Sequence, residues 1–135
     1  MKTHVLLGIE IVEDNPWLKG AALTIRYHHE RFDGTGYPEG LRGDSIPLNA
    51  RLFAVVDVFD ALTSERPYKK PMALNEAMVI IECESGCHFD PTIVAVFKRL
   101  APMLYTQTCQ ADRIELHRRM HETLARYFLA NQMPS

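Results

Sequence analysis

The residues best suited to chemistry in this chain lie within one short segment. Two adjacent histidines, His28 and His29, precede a loop that contains Gly36-Tyr37-Pro38, and Asp57 follows in an apolar stretch. Imidazole and carboxylate together suit iron, manganese, zinc or nickel, and hydrolysis of phosphate esters by bound metal uses such donors. The segment therefore suggests a metal site for phosphate chemistry.

The histidines also have a structural explanation. Neighbouring residues on a helix point about 100° apart, so one histidine of the pair would be buried and the other solvated. Residue types alone favour this explanation, because paired titratable groups are often structural. His4 by itself is typical of a histidine at a helix end. Spacing does not decide between the two interpretations.

The turn ERPYKK holds the one concentrated basic cluster of the chain. Arg66 and Lys69 are suited to phosphate oxygens, Arg through its planar fork and Lys as a point charge. A solvated basic turn is the alternative. His117 and His121 lie one helical turn apart, but their order differs from His-Glu-x-x-His and no third ligand accompanies them. A polar helix face is the favoured interpretation of that pair.

Composition excludes several classes of protein. A net charge of -2 over 135 residues provides no field for binding nucleic-acid polymers or membrane surfaces. No run of about 18 apolar residues occurs, so we expect no membrane insertion. Cys83, Cys87 and Cys109 form no Cys-x-x-Cys pair, which argues against a disulfide framework and a thiolate zinc site. We expect buried packing cysteines and a cytoplasmic protein.

Apolar residues recur at helical spacing, and no strand-like alternation persists. We predict an all-α fold, a helical bundle of about six helices. The predicted helices span residues 2–13, 17–30, 47–63, 74–85, 91–100 or beyond, and 111–129.

Local signals predict how these helices are joined. Four glycines and a proline predict an irregular loop over residues 31–45, with a tight turn at Asp33-Gly34. Asp90-Pro91 predicts a helix start, because the carboxylate accepts from free backbone amides. The helix over 47–63 is apolar nearly all round, which predicts a central helix with Asp57 buried in it.

Longer segments resemble a known family. HHERFDGTGYPEGL, IPLNARLFAVVDVFDALTSERPYKK and GCHFDP closely resemble the HD-GYP family, a branch of the metal-dependent HD phosphohydrolases that hydrolyse cyclic di-GMP. The opening MKTHVLLGIEI resembles that family's helix with a metal-binding histidine. The resemblance implies a partial HD-GYP domain over residues 1–100, the C-terminal portion of an HD-type domain. An amphipathic helical extension over residues 101–135 would follow.

The resemblance also implies roles for individual residues. The positions that match the family's metal ligands are His4, His28, His29 and Asp57. The positions that match its substrate-binding residues are Gly36, Tyr37, Pro38, Arg66 and Lys69. In that family a centre of two or three metal ions, usually iron or manganese, activates a bridging hydroxide that attacks phosphorus.

One feature of the family is missing from these residues. No His-Asp dipeptide occurs, and the family's upstream segment has no counterpart. With four donors a dinuclear site lacks ligands, so we expect weak or no hydrolysis by this chain alone. The alternative is a non-catalytic bacterial signalling module that binds a partner, such as a diguanylate cyclase domain, through the Gly-Tyr-Pro loop. Exposed apolar surface would also favour a homodimer.

Overall fold

The structure, a computed structural model, describes residues 19–109 and the single residues 115, 118 and 122. Over this part the chain is helical, and the predicted all-α class is confirmed. The helices are α1 (Lys19–Tyr27), α2 (Leu48–Thr63), α3 (Leu74–Cys83) and α4 (Pro91–Cys109), with a short 3-10 turn at Gly43–Ser45. Pairing between extended residues is limited, in this part, to two isolated bridges. His4 and the helix predicted over residues 2–13 lie outside the described residues, as does most of the stretch 111–129.

The chain divides into two compact units, Met1–Leu100 and Ala101–Ser135. In the first unit, α2 packs against both α1 and α3. In the second unit, the Thr106 hydroxyl donates a hydrogen bond to the Pro102 carbonyl, with an oxygen–oxygen distance of 3.0 Å. No helix in the described part of the chain is long and apolar enough to cross a membrane.

The core of the first unit forms where α2, α3 and α4 bring apolar side chains together. Phe59 of α2 and Phe97 of α4 meet edge to face, with ring centroids 5.0 Å apart, a favoured arrangement for aromatic pairs. The buried apolar residues are Ile46, Ala50, Ala54, Val55, Phe59, Ala77, Met78, Ile81, Phe89, Ile93, Val94 and Phe97.

Helix α2 lies between its neighbours but is buried on one face only, so the prediction of a buried Asp57 is wrong. Asp57 is exposed, as are Leu52 and Val56. Asp57 lies two residues from both Val55 and Phe59, which are buried, and therefore about 160° around the helix from each. Apolar composition did not reveal which face the neighbouring helices cover.

The predicted packing role of two cysteines is also wrong. Cys83 and Cys87 are both exposed. Ile81 is fully buried on the inner face of α3, and Cys83 follows it by two residues, so its side chain points to the opposite face. Cys87 lies in the turn after the helix, and the side chain of Cys109 is outside the described set.

Two local predictions are confirmed. The Asp90 carboxylate accepts a hydrogen bond from the Thr92 amide, with a nitrogen–oxygen distance of 2.8 Å, and Pro91 is the first residue of α4. Gly34 has a φ of 84° and donates from its amide to the Arg31 carbonyl at 2.8 Å. The carboxylate thus caps α4, and Asp33-Gly34 forms the predicted tight turn.

Helix α1 ends earlier than predicted. It stops at Tyr27 rather than near Glu30. The Glu30 amide donates to the Tyr27 carbonyl at 3.0 Å, a contact between residues three apart that closes a turn instead of continuing an α-helix. His28 and His29 therefore lie in a turn after the helix.

Candidate functional site

His28 and His29 lie side by side at the end of α1. Their ring centroids are 3.9 Å apart and the ring planes are tilted by 40°. Both side chains are partly buried. In a continuous helix the two side chains would diverge by about 100°, whereas the turn brings the rings together. Two imidazoles at this separation are close enough to serve one metal cluster.

A backbone carbonyl orients the ring of His28. Its Nδ1 lies 2.8 Å from the carbonyl oxygen of Ile25. Because a carbonyl can only accept a hydrogen bond, Nδ1 is the donating nitrogen in this contact. A carbonyl partner of this kind orients many metal-binding histidines in proteins. The turn therefore orients His28 so that Nε2 is the ring nitrogen suited to a metal.

The loop that follows folds back onto the histidines. The Tyr37 ring stacks on the His29 ring, with centroids 4.9 Å apart and planes 22° apart. The Tyr37 amide donates to the His29 carbonyl at 3.2 Å, and the Tyr37-Pro38 peptide bond is cis. Of the three predicted loop residues, Tyr37 thus contacts a predicted metal ligand directly.

Gly36 permits this close return of the loop. A Cβ at this position would lie 2.3 Å from the Arg31 nitrogen and 2.6 Å from the Cα of Glu30. Both distances are far below van der Waals contact. The backbone of the loop therefore passes against the backbone of residues 30 and 31, and only glycine fits.

Glu30 is a site residue that the sequence analysis missed. Its side chain is buried, with 2% of the residue exposed. Its carboxylate accepts three backbone hydrogen bonds, from the amides of Glu39 at 2.7 Å, Gly40 at 3.1 Å and Leu41 at 3.0 Å. A buried carboxylate needs such partners. The signal for it was an acidic residue beside a glycine-rich loop whose amides lack helical partners.

One exposed face of α2 connects the histidines with the basic turn. The ring of Phe53 meets the His28 ring edge to face, with centroids 5.6 Å apart. Asp57 and Asp60 follow Phe53 by four and seven residues, so they share its face of the helix. Asp57 therefore lies about one helical turn, or about 6 Å, along the axis from the residue that contacts His28. It is exposed, on the same face of α2 as Phe53.

The same face leads to Arg66 and Lys69. Asp60 lies 3.8 Å from the guanidinium of Arg66, measured between the nearest oxygen and nitrogen. Arg66 and Lys69 exchange backbone hydrogen bonds at 3.3 and 3.1 Å, which makes a tight turn. Both side chains are exposed, and Tyr68 at the turn's tip is fully exposed. The turn therefore presents two cations at the far end of this face.

Several contacts anchor the loop on the rest of the first unit. The amides of Phe32 and Asp33 donate to the carbonyls of His88 and Cys87 at 3.1 and 2.9 Å. The guanidinium of Arg31 lies 3.0 Å from a Glu84 carboxylate oxygen. These bonds join the loop to the turn between α3 and α4, so the loop's shape depends on residues far along the chain.

Two pKa shifts reflect this packing. Burial and the nearby Arg31 lower the pKa of His88, against weaker opposing effects of Glu84 and Asp33. Burial and the hydrogen bond to Glu39 raise the pKa of Tyr27. Neither group belongs to the predicted ligand set, and both lie where the loop packs on its surroundings.

The donors fit a metal in kind, and in part by arrangement. His28 is oriented by the Ile25 carbonyl and His29 lies beside it, while Asp57 is one helical turn along α2 from Phe53, which contacts His28. Within residues 19–109 no three His, Cys, Asp or Glu side chains gather closely enough to hold a metal ion by themselves. His4, the fourth predicted donor, lies outside the described residues. The described part thus provides a pair of imidazole donors.

Comparisons with known proteins point in the same direction. A family model described as HD domain matches residues 1–93. The chain is 46% identical over 105 residues to a probable cyclic di-GMP phosphodiesterase of Vibrio cholerae, a match that covers 72% of this chain and 24% of the relative. It is 45% identical over 101 residues to the cyclic di-GMP phosphodiesterase response regulator RpfG of Xanthomonas campestris, over 73% of this chain and 27% of that protein.

A solved structure is similar as well. The crystal structure of the cyclic GMP-AMP specific phosphodiesterase V-cGAP3 of Vibrio cholerae matches with a TM-score of 0.67 and 27% identity, over 82% of this chain and 25% of that one. The chain therefore belongs to the HD domain family, as a domain of the HD-GYP type. It spans about a quarter of the length of the curated relatives it matches.

Proposed function

We propose that this chain provides the phosphodiester-binding part of a cyclic dinucleotide phosphohydrolase, with cyclic di-GMP as the substrate. One observation carries the proposal. The adjoining rings of His28 and His29 contact α2, and the exposed face of α2 carries Asp57 and extends to Arg66. Its support from relatives is that two proteins more than 40% identical are named cyclic di-GMP phosphodiesterases.

In this proposal, each group of predicted residues has its own role. His4, His28, His29 and Asp57 hold a divalent metal, iron or manganese. A bound metal of this kind supplies Lewis-acid chemistry toward the phosphodiester. Arg66 and Lys69 bind phosphate oxygens, and Gly36-Tyr37-Pro38 forms the wall of the cleft beside the histidines.

These four donors are fewer than a dinuclear centre needs. We therefore propose that the 135 residues by themselves bind metal weakly and hydrolyse cyclic di-GMP slowly or not at all. The experiment is to measure manganese and iron content of the purified chain together with hydrolysis of cyclic di-GMP and cyclic GMP-AMP. One weakly held ion is expected. Two or more tightly bound ions with hydrolysis would overturn this part of the proposal.

Matched variants test the assignments separately. His28→Gln should reduce Mn²⁺ affinity, whereas His88→Gln, a histidine outside the ligand set, should leave it unchanged. Lys69→Gln should weaken cyclic di-GMP binding, because it removes a cation from the exposed turn. Lys98→Gln is the control, since Lys98 is an exposed lysine paired with Glu82. Equal affinities in the variant and control of either pair would contradict that assignment.

A second candidate function rests on a different surface. An apolar groove of about 170 Å³ lies between α2 and the part of α4 within the first unit, bordered by Leu52, Val56 and Val96. These side chains are 43 to 51% exposed, which is typical of interaction surfaces when they are contiguous. As the alternative to hydrolysis, we propose that the chain is an interaction module that binds a second copy of itself or a diguanylate cyclase domain. Sedimentation and pull-down would test it, with Val96→Ala as the variant for the groove and Tyr37→Ala as the variant for the Gly-Tyr-Pro loop.

A further inference from the structure

Glu30 lies between the histidine pair and the Gly-Tyr-Pro loop. It belongs neither to the predicted metal ligands nor to the predicted substrate-binding residues. Its carboxylate is buried and accepts from three successive amides, those of residues 39–41. These residues directly follow Tyr37-Pro38, and Tyr37 is stacked on His29. The Glu30 carboxylate thus binds the loop at residues 39–41, and the same loop places Tyr37 against the His29 imidazole.

We infer that Glu30 is a positioning residue, which sets the orientation of the His29 imidazole by closing the loop that lays Tyr37 over it. The inference rests on the proposed role of His29 as a metal ligand.

The geometry links the two residues in three steps. First, the Glu30 carboxylate fixes the amides of residues 39–41, because a buried carboxylate with three N–H donors has little freedom to move. Second, Gly36 packs against the backbone of Glu30 and Arg31, so the loop is held close to Glu30 on both sides of Tyr37-Pro38. Third, the Tyr37 amide donates to the His29 carbonyl and its ring stacks on the imidazole. The ring of His29 is therefore held from the loop side.

Glu30→Gln is the main test variant. The amide keeps the side chain's size, but its NH₂ group then faces a backbone N–H, so at least one of the three hydrogen bonds is lost. Glu82→Gln is the matched control, since Glu82 is an exposed glutamate whose partner is Lys98. Circular dichroism and thermal unfolding establish that each variant is folded.

Two measurements follow on the folded proteins. Without metal, nuclear Overhauser contacts between the Tyr37 and His29 rings are expected in the native chain and the control, and are expected to be lost or strongly reduced in Glu30→Gln. Titration with Mn²⁺ alone should show affinity reduced about 10- to 100-fold in Glu30→Gln, the usual effect of removing a residue that orients a metal ligand. Unchanged ring contacts in Glu30→Gln would overturn the inference.

Tyr37→Leu keeps the inference testable if Glu30→Gln does not fold. This variant leaves the Glu30 carboxylate and its three amides in place, so slow hydrogen exchange at residues 39–41 should persist while Mn²⁺ affinity falls as above. Native affinity in Tyr37→Leu would overturn the inference. If the native chain binds no Mn²⁺, the proposed metal role of His29 fails, and the ring contacts in Glu30→Gln alone decide whether Glu30 positions the imidazole.

Discussion

At the scale of single residues, Gly36 and Gly43 are two glycines of the same loop that resist substitution for different reasons. A Cβ at position 36 would lie 2.3 Å from a backbone nitrogen, whereas a Cβ at position 43 would meet nothing within 4 Å. Gly43 instead has a φ of 56°, where side chains with a Cβ are disfavoured. Space limits the first position and backbone conformation the second.

We therefore predict that Gly36→Ala lowers the free energy of unfolding by about 3 kcal/mol, because the loop must move away from its stem. Gly43→Ala is the control and should cost about 1 kcal/mol, the strain of a left-handed residue. Urea unfolding of the two variants measures both values. Similar small losses for the two would show that the loop does not pass close to residues 30 and 31.

His88 predicts a pH dependence of stability. Burial and Arg31 lower its pKa in the folded state below the usual 6.5. Below pH 6.5 the unfolded chain therefore binds this proton more readily than the folded chain does. The stability contributed by neutral His88 is complete above pH 6.5 and declines as the pH falls toward the lower folded pKa.

The measurement compares the native chain with His88→Gln. Urea unfolding between pH 7.5 and 5 should show a steeper loss of stability with falling pH in the native chain, since the variant lacks this titrating group. The difference between the two curves removes the contribution of carboxylates common to both. Parallel curves would mean that the folded pKa of His88 is not lowered.

At the scale of elements, the start of α4 is fixed by a carboxylate with two tasks. Asp90 caps the helix through the Thr92 amide. Its other oxygen lies 2.6 Å from a guanidinium nitrogen of Arg51 on α2, and both side chains are largely buried. Arg51 also pairs with the exposed Asp44, at 2.8 Å. Asp90 therefore joins two helices as well as ending a loop.

Asp90→Ala should lower the free energy of unfolding by about 3 kcal/mol, because a buried cation loses its main partner and the helix loses its cap. Asp90→Asn keeps a capping oxygen, so it should be less harmful by about 1 kcal/mol. The control is Glu82→Ala, which removes one partner of an exposed ion pair and should cost less than about 1 kcal/mol. Thermal and urea unfolding check the order, and an Asp90→Ala loss no larger than the control's would contradict it.

The two ends of helices show why some elements were predictable. The start of α4 depends on Asp90-Pro91 and the Thr92 amide, three consecutive residues, so the sequence predicted it. The end of α1 coincides with the place where the loop returns to Glu30, whose carboxylate partners lie 9 to 11 residues further along. Helical periodicity contains no information about such a contact, and the prediction continued the helix to residue 30. The side-by-side histidine rings follow from this earlier end.

The candidate site was predictable in its residue types more than in its geometry. His28, His29 and Tyr37 follow from the matched segment, and the structure brings their rings together. Burial of Asp57 could not be judged, because an apolar helix does not reveal which of its faces has neighbours. Glu30 could not be distinguished by sequence from other charged loop residues, because its role depends on amide partners 9 to 11 residues further along.

At the scale of the whole first unit, the side of α4 that faces the core is distinguished from the side that borders the apolar groove. Val94 is 5% exposed and Val96 is 51% exposed, although both are valines in the same helix. They are two residues apart, so their side chains point to nearly opposite faces. Hydrophobicity alone does not separate them, but their positions on opposite faces of α4, one toward the core and one toward the groove, do.

Val94→Ala should lower the free energy of unfolding by about 2 kcal/mol, because two buried methyl groups are lost and a cavity is left behind. Val96→Ala serves as its matched control and should change stability by less than about 0.5 kcal/mol, since it removes exposed surface and alanine favours helix. Urea unfolding at low protein concentration measures both. If Val96→Ala loses as much stability as Val94→Ala, the groove side of α4 is covered in solution. If the loss for Val96→Ala is small at low protein concentration and grows as the concentration is raised, while the loss for Val94→Ala does not, the covering partner is a second copy of the chain.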